Sequence, residues 1–437
     1  MTYEEALSYL YSQLPMFSRI GAAAYKEDIH NTVALCDALD NPQNKFKSIH
    51  IAGTNGKGST SHMLAAMLQQ QGFKTGLYTS PHIKDFGERI RINGKMIDQD
   101  FVVAFTEKTK SICQDIQPSF FELTVAMAFE YFALEKVDIA IIETGLGGRL
   151  DSTNIINPEL SVITNIGLDH QNLLGNTLEE ISFEKAGIIK NNTPVIIGET
   201  IAASKSVFVN KASECNVNPV FAENEYAVEH RGYQDHRMIC EVRKLNNQQT
   251  FSLLTDLCGQ YQLKNLRTVL SAVDSLRLLG YQLEKDKVQN AVANTRKITG
   301  FWGRWDVISQ APIIICDVAH NEDGIKNILS QLNQQYKTKH WHFVMGFVND
   351  KDISKMLKLL PNHAHYYFTN AHIPRALPHN ELKEQANHIG LKGDSFDDVN
   401  HAVQKAKESC ENDDVVIVCG SFFILSELHH YRSPSNI

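Results

Sequence analysis

Several things are missing from this 437-residue sequence. Its eight cysteines include no CxxC spacing, its N-terminus has no basic stretch leading into an apolar core, and there is no excess of positive charge. Without close pairing, Cys36, Cys113, Cys215, Cys240, Cys258, Cys316, Cys410 and Cys419 read as reduced, buried thiols, and a disulfide frame or a zinc-finger spacing is excluded. The acidic Glu4 and Glu5 exclude an ordinary signal peptide. No uninterrupted apolar run approaches the ~20 residues needed to cross a bilayer. A formal net charge of -8 leaves no electrostatic footprint for nucleic acid. By elimination the sequence predicts a cytoplasmic protein without membrane or nucleic-acid partners.

What is present describes an ordinary globular chain, with 43% hydrophobic and 21% charged residues. Its length exceeds what one core usually accommodates, so two domains are expected. The organising stretch runs from Ser48 to Thr60. An apolar run suited to a buried strand (Ile49, Ile51, Ala52) stops at Gly53, a glycine-rich turn follows, and Ser59-Thr60 open a helical pattern through Met63, Leu64, Met67 and Leu68. Strand, loop and helix in this order make a phosphate site: glycines let backbone N–H groups turn inward, and Lys57 adds a mobile cation. A hydroxyl of Ser59 or Thr60 could reach Mg2+. The spacing departs from G-x-x-x-x-G-K-[ST], because Ile51 stands five residues before Gly56 and Gly58 follows Lys57.

Other chemistry-bearing residues fall at predicted strand ends. Ser80 follows a short strand at Thr75–Thr79, and Arg89 to Ile97 reads as a hairpin turned by Asn93-Gly94. Val137 to Glu143 is an apolar strand ending in a carboxylate and followed by a glycine-rich loop to Asn154, where an acid can hold Mg2+ beside phosphates or merely cap a turn. The strand Leu160–Asn165 leads to His170, which is either a site residue or an ordinary surface histidine. Lys185 lies in a helix from Leu178 to about Lys190, where a salt-bridged lysine is the simplest reading. Residues 191–255 read as strands and polar turns at the outer edge of the first domain. A long helix starts near Tyr261 and ends near Gly280; in it Asn265 reads as a polar helix-face residue. After a polar, glycine-containing stretch the pattern alternates strand and helix again, with strand ends at Asp317, Gly346, Thr369 and Gly420.

Gly53-Thr54-Asn55-Gly56-Lys57-Gly58-Ser59, Ser80-Pro81-His82, Glu143 to Asn154, Asn165 to His170 and Glu184 to Ile188 occur in series. Together they resemble the dihydrofolate synthase/folylpolyglutamate synthase family of Mur-type ligases along essentially the whole chain. The resemblance implies an α/β fold: an N-terminal P-loop ATPase-type, mostly parallel sheet with helices on both faces, and a smaller C-terminal Rossmann-like α/β domain. It implies an ATP- and pterin-binding domain at 1–294, a linker at 295–303 and a glutamate-ligase domain at 304–437.

The activity it implies is ADP-forming ligation of L-glutamate to dihydropteroate and tetrahydrofolate, or polyglutamylation alone, by a monomer. For ATP it points to Thr54, Asn55, Gly56, Lys57, Gly58, Ser59, Asn265, Arg304 and Asp317. For Mg2+ it points to Ser59, Ser80, Glu143, His170 and Lys185, the last as N6-carboxylysine. Lys57, Lys185, Asp317 and His320 would be catalytic, the latter two at an interdomain site. For the pterin substrate it points to Lys26, Glu27 and Asp28, to Ser119, Phe120, Phe121 and Glu122, and to Leu150, Asp151 and Ser152. Asp350-Lys351-Asp352, Pro374-Arg375 and Gly420-Ser421-Phe422 also match family segments. The chain departs from the family at Trp302-Gly303-Arg304, where Pro-Gly-Arg is usual, and at Glu322, where proline is common.

A cell-wall ligase of the same architecture would need a further domain before the phosphate loop. A nucleotide-driven switch or transporter-type ATPase would leave Glu143, His170 and Lys185 unexplained.

Overall fold

The computed structural model describes residues 1–16, 28–337, 340–349, 353–411 and 413–429. Expectations for Lys26 and Glu27, and for Asp350 to Asp352, lie outside them. The chain divides into two compact units. Met1–His82, Phe86–Asp256 and Gln262–Phe301 form the first; Ile83–Asp85, Leu257–Tyr261 and the chain from Trp302 onward form the second. The passage at Phe301–Trp302 falls within 295–303, but Thr295–Thr299 is a short helix of the first unit.

Among the described residues the main sheet of the first unit has eight strands: β1 (Lys47–Ala52), β2 (Thr75–Tyr78), β3 (Ile90–Ile92), β4 (Lys95–Met96), β5 (Ile139–Glu143), β6 (Leu160–Ile163), β7 (Val195–Ile197) and β8 (Pro219–Phe221). Their order is β4-β3-β2-β5-β1-β6-β7-β8, parallel except where the β3–β4 hairpin joins β2. Continuous burial of β1 after Lys47 and of all of β5 reflects cover on both faces. Alternation sends Ala140 and Ile142 into a core with Val125, Phe129 and Phe132 of the helix Phe120–Leu134. The helix Lys57–Gln70 packs on β5 as well as β1 and β2.

Residues 191–255 correct the sequence reading. Only β7 and β8 extend the sheet edge. Ala202–Glu214 is a helix whose buried Ser204, Phe208 and Ala212 recur every fourth residue. Tyr226–Gln234 (β9), Arg237–Lys244 (β10) and Thr250–Thr255 (β11) form a separate antiparallel sheet. The helix expected to run to Lys190 ends at Ala186.

Among the described residues the second unit holds six strands: β12 (Asp306–Gln310), β13 (Ile313–Cys316), β14 (Trp341–Met345), β15 (His365–Thr369), β16 (Gly393–Phe396) and β17 (Val415–Cys419). They run in the order β12-β13-β17-β14-β15-β16, with only β12 antiparallel. Separate cores lie against this sheet: one includes Ile315, Phe343 and Ile417, the other Ile314, Val344 and Val416. Among the described residues no helix is long and apolar enough to cross a membrane.

Candidate active site

The loop after central β1 is held open by its neighbours. Thr54 N–H donates to the Asn165 carbonyl (3.0 Å), Asn55 N–H donates to Asn165 Oδ1 (2.8 Å), and Thr164 Oγ1 donates to the Asn55 carbonyl (2.6 Å). Thr54 Oγ1 donates to the Gly167 carbonyl at 3.1 Å and accepts from Gly167 N–H at 3.0 Å. The segment after β6 therefore sets the shape of the phosphate loop. Two glycines are required here. A Cβ at Gly53 would stand 1.9 Å from Thr164 Oγ1, and one at Gly56, where φ is +85°, would stand 2.3 Å from Asn265 Oδ1. Gly56 leads directly into the helix Lys57–Gln70, so the N–H groups of its first turn face the loop.

Two lysines converge on this loop. Lys57 Nζ donates to the carbonyls of Gly53 (3.0 Å) and Thr54 (3.2 Å), and Lys185 Nζ donates to the same Gly53 carbonyl at 2.9 Å. Lys185 is 3% exposed. Burial, reinforced by Lys57, pushes its ammonium down to about 7, against the opposing pull of Asp169 and Asp151. Part-buried Lys57 and buried Lys185 thus meet on one carbonyl inside the loop.

Glu143 ends β5 opposite Ile51 in register, and Thr144 N–H donates to the Ile51 carbonyl at 2.9 Å. Ser80 lies two residues beyond Tyr78, the end of β2. His170 adopts a left-handed φ of +51° and precedes the helix Gln171–Leu174, its N–H donating to Asp169 Oδ1 at 2.9 Å. Ser59 Oγ accepts from Gln262 Nε2 (3.0 Å), and Gln262 Oε1 accepts from Asn265 Nδ2 (2.8 Å). Asn265 is thereby tied to the phosphate loop, and Gln262 is a link that helical periodicity alone did not signal. Hydroxyls such as those of Ser59 and Ser80 and a carboxylate such as that of Glu143 are hard-oxygen donors, the chemistry Mg2+ takes. An ammonium does not fit it; Lys185 could join only after losing its positive charge.

The segments expected to touch the second substrate also gather in this unit. Ser119 and Glu122 form a reciprocal capping box: Glu122 N–H donates to Ser119 Oγ (3.2 Å) and Ser119 N–H donates to Glu122 Oε2 (2.6 Å). Asn31 Nδ2 reaches the same carboxylate at 3.3 Å. Phe121 closes over the turn after β5, since a Cβ on Gly145 would lie 2.4 Å from its ring. Phe120 is buried against Tyr11 and Phe86, with the Arg89 guanidinium 5.0 Å from its ring centroid.

Asp151 Oδ2 accepts from Leu146 N–H at 2.8 Å, and Oδ1 accepts from Thr153 N–H (3.0 Å) and from its hydroxyl. Thr153 Oγ1 in turn lies 2.8 Å from His50 Nε2. Because burial holds His50 neutral, at about 3, and the threonine proton points to Asp151, Nε2–H is the donor in this chain. Sequence reading missed His50 because a lone histidine in an apolar strand carries no local signal. Ser152 is buried, Leu150 half-buried, and Asp28 Oδ1 accepts from His30 N–H at 3.0 Å.

In the second unit, Asp317 follows β13 and is 3% exposed. Its carboxylate accepts from Tyr261 Oη (2.7 Å), Trp305 N–H (2.8 Å) and Ala319 N–H (2.9 Å). Burial raises its pKa, while Arg304 and these donors oppose the rise. His320 Nδ1 donates to the Val318 carbonyl at 2.9 Å, which leaves Nε2 as the basic nitrogen. Arg304 lies over the Phe422 ring at 5.1 Å, and His320 lies 5.8 Å from that ring. Tyr261, the hydroxyl partner of Asp317, went unrecognised because 56 residues of sequence separate the pair.

A P-loop in a mostly parallel sheet, followed by a second parallel sheet with an acid–histidine pair at a strand end, defines an ADP-forming amide ligase of the Mur type. The Mur ligase middle domain family matches residues 51–273, and the Mur ligase glutamate ligase domain family matches 303–422. The dihydrofolate synthase/folylpolyglutamate synthase of Bacillus subtilis is 32% identical over 98% of both chains. The chain belongs to the dihydrofolate synthase/folylpolyglutamate synthase family. Folylpolyglutamate synthase of Mycobacterium tuberculosis, solved with ADP and AMPPCP, superposes with a TM-score of 0.86 at 28% identity, covering 97% of this chain and 98% of that one. Escherichia coli FolC in complex with DHPP and ADP gives 0.83 at 28% identity, covering 98% and 96%. The Yersinia pestis enzyme complexed with AMPPNP and Mn gives 0.82 at 26% identity, covering 98% and 97%.

Proposed function

We propose that this chain joins L-glutamate to dihydropteroate and to reduced folates, forming ADP and phosphate. The observation that carries the reading is the pair Lys57 and Lys185 on the Gly53 carbonyl, inside a loop shaped for polyphosphate. Thr54 to Ser59 hold the ATP phosphates, with Asn265 at the base, and Lys57 offsets charge on the phosphoryl group as it moves to the acceptor carboxylate. The acyl phosphate is attacked by the glutamate amine, and the tetrahedral intermediate expels phosphate. Ser59, Ser80, Glu143 and His170 would hold Mg2+, which supplies charge neutralisation at the phosphates when bound.

Lys185, with its ammonium pushed down to about 7, is half neutral near pH 7. A neutral amine can add carbon dioxide, lose a proton and become N6-carboxylysine, an anionic ligand. Asp28, Ser119 to Glu122 and Leu150 to Ser152 receive the pterin-bearing acceptor; Arg304, Asp317 and His320 act from the glutamate-ligase domain. The functional division at 294 and 303, and a monomeric state, belong to the same reading.

The test is ADP release by the purified protein with ATP, Mg2+ and L-glutamate, with no acceptor, dihydropteroate or tetrahydrofolate, and products weighed. A glutamate-sized gain on both acceptors supports the reading. A gain on tetrahydrofolate alone restricts it to polyglutamylation, and ADP without either gain overturns it.

A further inference from the structure

At the amino-terminal edge of the second sheet, the end opposite Asp317 and Gly420, three side chains from distant parts of the sequence meet. His342 comes from β14; Cys410 directly follows the helix Val399–Ser409, and Asp414 directly precedes β17. One donor atom from each lies within 4.8 Å of the others, and His342 and Asp414 are buried. His342 Nε2 is 3.2 Å from Asp414 Oδ2, while Nδ1 is 3.1 Å from Tyr367 Oη, which itself hydrogen-bonds the Ser409 side chain.

We propose that His342, Cys410 and Asp414 form a binding site for a soft divalent cation of the zinc class, separate from the nucleotide chemistry. The donor set is nitrogen, sulfur and carboxylate oxygen, which zinc takes in tetrahedral geometry with ligands roughly 3–4 Å apart and a fourth position for water.

The surroundings supply the outer support such a site needs. In the cation-free state the Nε2 proton of His342 donates to Asp414, and Tyr367 donates to Nδ1. Rotation of one hydroxyl lets Nδ1–H donate to Tyr367 instead, freeing Nε2 for a metal while the ring stays fixed. Burial and Asp414 push the Cys410 thiol up to about 12, so the empty site keeps its proton. A bound dication reverses that balance: binding sends the thiol proton to solvent, while the neutral imidazole keeps one proton, carried on Nδ1 in place of Nε2. The site would tie the start of β17 to β14. Spacing along the sequence hid it, since the ligands come from two separate segments.

The experiment uses the full chain, stripped with chelator and titrated with Co2+ in excess Mg2+, which occupies hard-oxygen sites. The expected result is a near-ultraviolet thiolate-to-cobalt charge-transfer band saturating at one equivalent and displaced by Zn2+. Cys410→Ser should abolish the band, and Asp414→Asn should weaken Zn2+ binding about a hundredfold. Tyr367→Phe should keep the band but weaken binding about ten- to a hundredfold. If Cys410→Ser does not fold, His342→Gln carries the same test, with ADP release as the measure of a folded chain. No band in the parent, a band that survives Cys410→Ser, or parental Zn2+ affinity in Asp414→Asn overturns the proposal and leaves a buried hydrogen-bonded cluster.

Discussion

Replacing Gly56 by alanine should damage nucleotide binding through two separable effects. Holding alanine at a φ of +85° costs about 1–2 kcal/mol. The added Cβ would also stand 2.3 Å from Asn265 Oδ1. Asn265 must then turn away, giving up its 2.8 Å bond to Gln262 and loosening the 3.0 Å bond from Gln262 to Ser59. Those losses add about 1–2 kcal/mol. Together they amount to about 2–4 kcal/mol, roughly 30- to 1000-fold in ADP affinity where the loop relaxes, or the same free energy in stability where it does not. Asn265→Ala removes the collision but leaves the backbone strain, so the two changes should couple by about 1–2 kcal/mol. ADP titration and urea denaturation of the parent, both single variants and the double variant measure all four corners. If Gly56→Ala costs the same in both backgrounds, the steric argument fails; if it changes neither stability nor affinity, the whole account of the loop fails.

The depressed Lys185 pKa predicts that stability rises with pH between about 7 and 10.5, because the unfolded lysine still holds a proton that the folded one has lost. From pH 7 to 9 the parent should gain about 2–3 kcal/mol over Lys185→Met in urea denaturation, and 13C-bicarbonate at pH 8 should give a carbamate NMR signal that Lys185→Met lacks. Tyr261→Phe removes a donor from buried Asp317 and should cost about 1.5–3 kcal/mol, read from the urea midpoint. Thr153→Val breaks the chain from His50 to Asp151; it should raise the acceptor KM at least several-fold with the ATP KM unchanged, in steady-state kinetics. Ser119→Ala loses one half of a capping box and should lower stability by about 1 kcal/mol in thermal unfolding.

What the sequence made legible was whatever physics writes locally. Gly53 to Gly56 had to be a loop between strand and helix, Glu143 had to end a buried strand, and both sit beside one another at the carboxyl edge of a parallel sheet; the helix opens at Lys57, two residues before the Ser59 that the pattern marked. The misreading of 191–255 shows the opposite case. Buried Ser204, Phe208 and Ala212 mark a helical face, but Ser204 and Ala212 are too small to announce it in hydrophobic periodicity. The three-stranded sheet shares the short-strand pattern of a sheet edge, and only long-range pairing separates it from β8. Links such as Gln262 to Ser59, Tyr261 to Asp317 and His50 to Thr153 join residues that no local period connects. The short segments 83–85 and 257–261, which belong with the second unit, are likewise set by packing at a distance.

The Gly53 carbonyl has a consequence for the thermodynamics of nucleotide capture. A free lysine side chain surrenders up to about 2 kcal/mol of rotamer entropy when it is fixed. Here Lys57 is already fixed, anchored to that oxygen and to the Thr54 carbonyl before any phosphate arrives. Binding therefore exchanges one acceptor for another without first ordering a flexible chain, and the ordering cost falls on folding instead of on each catalytic cycle.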